Sequence, residues 1–192
     1  MADSSPSPEG THAIATRLDR PIVLVGLMGS GKSNIGRRLA ARLNWPFKDS
    51  DAEFETAAAC TISEYFAQHG EAQFREGERK VISRLLAGPP QVLATGGGAF
   101  CDPGTRARIK SMAVSIWLRA DLELLVRRTS GRDHRPLLKQ GDPREILSKL
   151  IELRHPIYAE ADITVDTTDE PPDVTLGAVL GALETWLENK SP

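Results

Sequence analysis

The chain is short of cysteine, of any excess charge and of long apolar runs, and each shortage closes off a class of function. Its two cysteines, Cys60 and Cys101, stand 41 positions apart with no CxxC spacing and no histidine alongside. Neither a disulfide framework nor a zinc site is expected, and a reducing, cytoplasmic location fits. Twenty-four Lys and Arg against 26 Asp and Glu leave a formal charge of −2. Without a basic excess, general binding to nucleic acid or to a membrane surface has no electrostatic support. No stretch approaches the roughly 18 consecutive apolar residues of a membrane span. There is no internal repeat, and at 192 residues, with roughly 150 per domain, one domain is expected.

Residues 1–20 lack the basic start and hydrophobic core of a secretory signal. Asp3, Glu9 and Asp19 are acidic where transit peptides avoid acid. The Ser, Pro and small polar residues there bury little surface, so 1–20 is expected to be a flexible tail ahead of a single domain at 21–190. Within that domain, short β-type runs at 22–25, 45–48, 91–94, 113–118 and 162–165 alternate with longer helical patterns. Such alternation gives an α/β fold of three layers, a five-stranded parallel sheet with helices on both faces. Ile35, Leu39 and Leu43 mark one helix face, and Leu176, Val179, Leu180, Leu183 and Leu187 another. The long pattern at 62–86 is expected to break near His69-Gly70. Further helices are expected at 121–129 and 143–159. Residues 130–142, with Gly131, Pro136 and Gly141 among charged side chains, read as an exposed, mobile insertion able to act as a lid.

Directly after the first expected strand comes GLMGSGKS, Gly26 to Ser33. It fits G-x-x-x-x-G-K-S/T in full and opens an amphipathic helix, the context that makes this pattern a phosphate loop. Glycines let successive backbone N–H groups turn inward, and the helix N-terminus adds its dipole to the same cradle. Gly29, Ser30, Gly31, Lys32, Ser33 and Asn34 are therefore candidate nucleotide-binding residues. Lys32 is expected to reach the β- and γ-phosphates, and the Ser33 hydroxyl to ligate magnesium.

A phosphate loop alone does not separate kinases from GTPases, motors and switches. Asp49-Ser50-Asp51 follows the second expected strand, at the sheet edge where ligands of parallel sheets bind. Two readings stand: one carboxylate serves magnesium through water while the other orients an acceptor hydroxyl, or the run simply supplies an N-cap ahead of 52–59, for which Asp is favoured. Thr95-Gly96-Gly97-Gly98 ends the third expected strand, where three glycines open the backbone to a ligand. Arg75, with Glu71 and Arg79 at four-residue spacing, reads locally as part of a surface ion-pair ladder. Arg135, in the insertion, is placed to close over phosphates. Arg154 suits a carboxylate, or stabilises a helix end. The four histidines show no ligand spacing.

Together these residues resemble the shikimate kinases. The resemblance runs from about residue 21 to 187. It rests on GLMGSGKS, Asp49-x-Asp51, Phe74-Arg75-x-x-Glu78, the triple glycine, RPLL at 135–138 and Arg154-x-Pro156-x-Tyr158. It implies that Asp51, Arg75, Gly96, Gly97, Gly98 and Arg154 hold shikimate, the arginines gripping its carboxylate. It places Arg128 over the adenine and Arg135 on the ATP phosphates, and makes Ser33, with Asp49 through water, the magnesium site. Lys32, Asp51 and Arg135 become the catalytic group. The family is usually monomeric. Two departures stand out: Asn34 replaces the usual Thr, and Asp169 and Glu170 occupy an adenine-side turn, 168–172, that is basic in some members.

The activity expected is transfer of the γ-phosphate of ATP to the 3-hydroxyl of shikimate, assisted by Mg2+, on the way to chorismate. The rivals are another small P-loop kinase, such as one for gluconate or a nucleoside monophosphate, and a nucleotide-dependent regulatory protein without turnover.

Overall fold

The first strand, β1 (Ile22–Val25), is buried along its whole length. Ile22 and Leu24 face one layer of helices, Val23 and Val25 the other, because successive strand residues point to opposite faces. The computed structural model describes residues 8–130 and 141–190. It pairs β1 with β3 (Val92–Ala94) on one side and β4 (Val114–Arg119) on the other. β2 (Phe47–Asp49) and β5 (Ile163–Asp166) form the edges, in the order β2-β3-β1-β4-β5, all parallel. β1 and β3 read as unbroken apolar runs, as strands covered on both faces do, and β4 departs only at buried Ser115 and at its exposed end, Arg119. β5 alternates buried Ile163 and Val165 with exposed Thr164 and Asp166, since only one of its faces is covered.

One layer holds α2 (Lys32–Leu43) and α8 (Pro172–Lys190). They pack Ile35, Leu39, Leu176, Val179 and Leu183 on Leu24, Ile116 and Leu118. The other holds α4 (Ile62–Leu86), α5 (Pro103–Met112), α6 (Leu122–Thr129) and α7 (Pro143–Tyr158). These place Phe74, Ile82, Ile109, Leu125, Leu147 and Tyr158 around Val23, Val25, Leu93 and Trp117. A short helix, α3 (Ser50–Ala58), links β2 to α4, and Phe54 on it meets Phe74 edge-on at 4.9 Å. α4 starts on a capping box between Thr61 and Glu64 and loses helical geometry at Gly70, where the sequence reading puts the break. The five strands appear where expected, β1 with the same bounds and the others with ends shifted by at most two residues. Asp49 is thereby the last residue of β2 and the N-cap of α3, accepting the Asp51 N–H at 3.1 Å.

The expected flexible tail needs correction. Residues 1–7 lie outside the described residues, but Pro8–Arg17 forms a helix, α1, against α8 and α2. Ile14 and Leu18 are buried, and an Arg17 Nη2–H donates to the Leu187 carbonyl at 3.0 Å. Ten residues make a marginal helix in isolation. Burying Ile14 and Leu18 contributes on the order of 2 kcal/mol each, enough to hold the helix on the domain. Averaging composition over the first 20 residues hid this apolar pair, four positions apart.

The candidate active site

The carboxyl ends of β1, β2 and β3 meet at one edge of the sheet, and a cleft of about 1270 Å3 opens there. Met28, Gly29, Ser30, Gly31, Lys32, Ser33 and Asn34 line one side of it, and Asp49, Asp51, Gly96 and Gly97 the other. Gly29 and Gly31 have φ of 85° and 96°, a left-handed backbone that side chains resist, so the loop curls as the motif requires. Lys32 Nζ donates to the Gly26 and Leu27 carbonyls at 2.8 and 2.9 Å, which holds its charge inside the loop. The Ser33 hydroxyl donates to Asp49 Oδ2 at 2.7 Å. Asp49 therefore joins the phosphate loop through one oxygen and caps α3 through the other.

Asp51, in the first turn of α3, stands between the halves of the cleft. Burial, the carboxylates of Asp49 and Glu78 and, less strongly, Glu55 raise its pKa to about 6, while Lys32 pulls the other way. A Cβ placed on Gly96 would come within 2.7 Å of Asp51 Oδ1 and 3.0 Å of Glu78 Oε1, so the backbone approaches both carboxyl groups as only glycine allows. The Gly96 N–H donates to Ser50 Oγ at 3.1 Å, which fastens this turn to the start of α3.

On the far side of the turn, Arg75 lies against Gly98, where a Cβ would sit 2.7 Å from Nη1. The ladder expected from its spacing is only half present. Glu71 pairs with Arg75 at 3.4 Å, but Arg79 turns away to Asp102. The shorter bond, 2.8 Å, joins Arg75 Nη1 to the buried carboxylate of Glu78. Burial opposes the charge of Arg75, yet Glu78 and Glu71 outweigh it and raise its pKa. Burial likewise raises that of Glu78 against the pull of Arg75. Arg154 reaches the same turn from α7, donating through Nη1 to the Gly97 carbonyl at 3.2 Å. Asp51, Arg75, Gly96, Gly97, Gly98 and Arg154 are thus one cluster, drawn from three helices and a turn.

Arg128, near the end of α6, lines the cleft with Thr167, Glu170 and Pro172, and its Nη2 donates to the Thr168 carbonyl at 2.6 Å. The expected lid and Arg135 lie outside the described residues, except for Ser130, Gly141 and Asp142 at its ends. Sequence reasoning gave no role to Glu55, which lines the cleft and accepts the Ile62 N–H at 2.9 Å. Nor did it give one to Glu78 or Tyr158, although both stood in motifs it had singled out. Among the described residues no group of three or more His, Cys, Asp and Glu could hold a metal.

A glycine-rich cradle with its Lys and Ser at the carboxyl edge of a parallel sheet, beside a cluster of carboxylates, glycines and arginines, is the frame of a P-loop phosphotransferase. The sequence comparisons make the class specific. The family model described as shikimate kinase matches residues 28–184. The shikimate kinase of Paramagnetospirillum magneticum is 67% identical over 175 residues, covering 91% of this chain and 90% of that one. That of Caulobacter vibrioides is 57% identical over 85% of this chain and 82% of its own. A solved structure of shikimate kinase from Acinetobacter baumannii in complex with shikimate superposes with a TM-score of 0.86 at 35% identity. It covers 93% of this chain and 98% of that one. The chain belongs to the shikimate kinase family.

Proposed function

We propose that the protein transfers the γ-phosphate of ATP to the 3-hydroxyl of shikimate, giving shikimate 3-phosphate and ADP. The observation that carries this reading is the position of Asp51. It faces Lys32 and the Ser33–Asp49 pair on one side and the glycine turn with Arg75 and Arg154 on the other. The turnover of such a kinase comes from position and charge, with little covalent chemistry left to the protein. Gly29, Ser30, Gly31 and Lys32 bind the polyphosphate, and Lys32 exchanges its two loop carbonyls for phosphate oxygens. Asn34 and Arg128 border the nucleotide. Arg75 and Arg154 orient the acceptor carboxylate, and Asp51 accepts a hydrogen bond from the acceptor hydroxyl and aims it for in-line attack. Arg135 adds a cation to the transferring phosphate.

The Ser33 hydroxyl and Asp49 carboxylate are hard oxygen donors in contact, a set that suits Mg2+ held by one or two protein groups with waters and phosphates. Bound there, the ion would neutralise charge on the β- and γ-phosphates. The protein acts as a cytoplasmic monomer, with no nucleic-acid or membrane partner. A coupled assay of ADP release tests the reading. Release is slow with ATP alone or with gluconate and rises at least about a hundredfold with shikimate, since a site completed by its acceptor spares ATP from water. Equal release in all three mixtures contradicts it.

A further inference from the structure

Arg154 and Tyr158 stand four residues apart on α7, on one face of the helix, and converge on a single atom. The Tyr158 hydroxyl donates to the Gly97 carbonyl oxygen, the same oxygen that accepts Arg154 Nη1–H at 3.2 Å. The tyrosine is wholly buried, its ring 6.0 Å from that of Trp117. Burial, and next the Cys101 thiol, hold its pKa above the ordinary phenol range, so the hydroxyl is a permanent donor. A carbonyl oxygen offers two lone pairs, and here both have a donor. The middle of the glycine turn and the guanidinium of Arg154 are therefore fixed relative to each other from outside the acceptor pocket.

We propose that Tyr158 is a positioning residue for the acceptor carboxylate: its hydroxyl fixes the Gly97 carbonyl, and that carbonyl fixes the aim of Arg154. The inference rests on the reading that Arg154 meets the carboxylate of the acceptor. Arg154 has several rotatable bonds, and a guanidinium gains its bidentate advantage only when its plane is set before the carboxylate arrives. Tyr158 supplies that setting without touching the acceptor.

Tyr158→Phe keeps the ring and removes the donor. The KM for shikimate is expected to rise about three- to tenfold, the worth of one hydrogen bond, with kcat and the KM for ATP within about twofold. In an Arg154→Lys background the same change is expected to move the KM for shikimate by less than about twofold, because no guanidinium remains to be aimed. An equal rise in both KM values, or the same factor in both backgrounds, overturns the proposal and leaves Tyr158 a packing role alone. A readout free of turnover is the Arg154 side-chain Nε–H resonance in the unliganded protein. It shifts or broadens in Tyr158→Phe, and an unchanged resonance also overturns the proposal. Turnover of shikimate by the unaltered protein tests the functional reading separately, so its failure is distinguishable from failure of the Tyr158 coupling. Should Tyr158→Phe not fold, 3-fluorotyrosine labelling of the intact chain replaces it. The Tyr158 fluorine signal then differs between the unaltered protein and Arg154→Lys, and identical signals refute the coupling.

Discussion

The phosphate loop is one unbroken octapeptide working largely through its backbone, whereas the proposed acceptor pocket is assembled from side chains far apart in sequence. It takes Asp51 from α3, Arg75 and Glu78 from α4, the glycines at 96–98 after β3, and Arg154 and Tyr158 from α7. The first half needs only a strand, a tight loop and a helix N-terminus to form. The second exists only once α4 and α7 have packed on the same face of the sheet, around Phe74, Leu93, Trp117 and Tyr158. Damage to the loop should therefore act on phosphate chemistry directly, and damage to the pocket on aim and acceptor affinity.

The largest effect that separates the halves is expected from Lys32→Ala. Removing the one cation inside the loop should lower kcat by about a thousandfold, while shikimate binding to the nucleotide-free protein, measured by calorimetry, changes less than about twofold. A parallel loss of shikimate affinity would mean that the halves are not independent.

Asp51 is proposed to serve both halves, and its variant sharpens the contrast. Asp51→Asn should cut kcat about a hundredfold and leave ATP affinity nearly intact. In the unaltered protein, activity should fall as pH drops through about 6, where Asp51 takes up a proton, and Asp51→Asn should abolish that limb. Thermal stability should run the opposite way. Folding raises the pKa of Asp51 from 3.8, so the folded chain holds the proton more tightly than the unfolded one. The stability this gives is complete below pH 4 and is lost as pH rises through about 6. Melting curves of the two proteins between pH 4 and 8 should diverge accordingly.

The same division explains what the sequence disclosed. GLMGSGKS was readable because all its parts are neighbours in the chain, and the carboxylates of Asp49-Ser50-Asp51 were readable as facing the loop or as a cap, though not which of them caps. Arg75 was not: i, i+4 spacing to Glu71 and Arg79 describes a solvated ladder. Only tertiary packing turns Arg79 toward Asp102 and lays Arg75 against Gly98 and Glu78. Resemblance to a family, and not local chemistry, moved Arg75 into the pocket. Tyr158 could be noticed as part of a motif, but its hydroxyl partner is 61 positions away. Ile14 and Leu18 failed in the other direction, as two apolar residues inside a stretch whose average composition reads as unstructured.

The smallest of these effects is expected at the turn itself. Gly98→Ala places a methyl within 2.7 Å of the Arg75 guanidinium, which Glu78 keeps from moving aside freely. The KM for shikimate should rise about tenfold with the KM for ATP unchanged, in steady-state assays that vary each substrate in turn. A change in the KM for ATP alone would reassign the turn to the nucleotide half.

The central claim is that one sheet edge carries both sites and that they meet at Asp51. It is tested most directly by following backbone amide resonances while the protein is titrated first with ADP and Mg2+ and then with shikimate. ADP and Mg2+ should shift Gly29, Gly31, Lys32 and Ser33, and shikimate should then shift Asp51, Arg75, Gly96, Gly97 and Gly98. Shikimate shifts confined to any other part of the molecule would contradict the account.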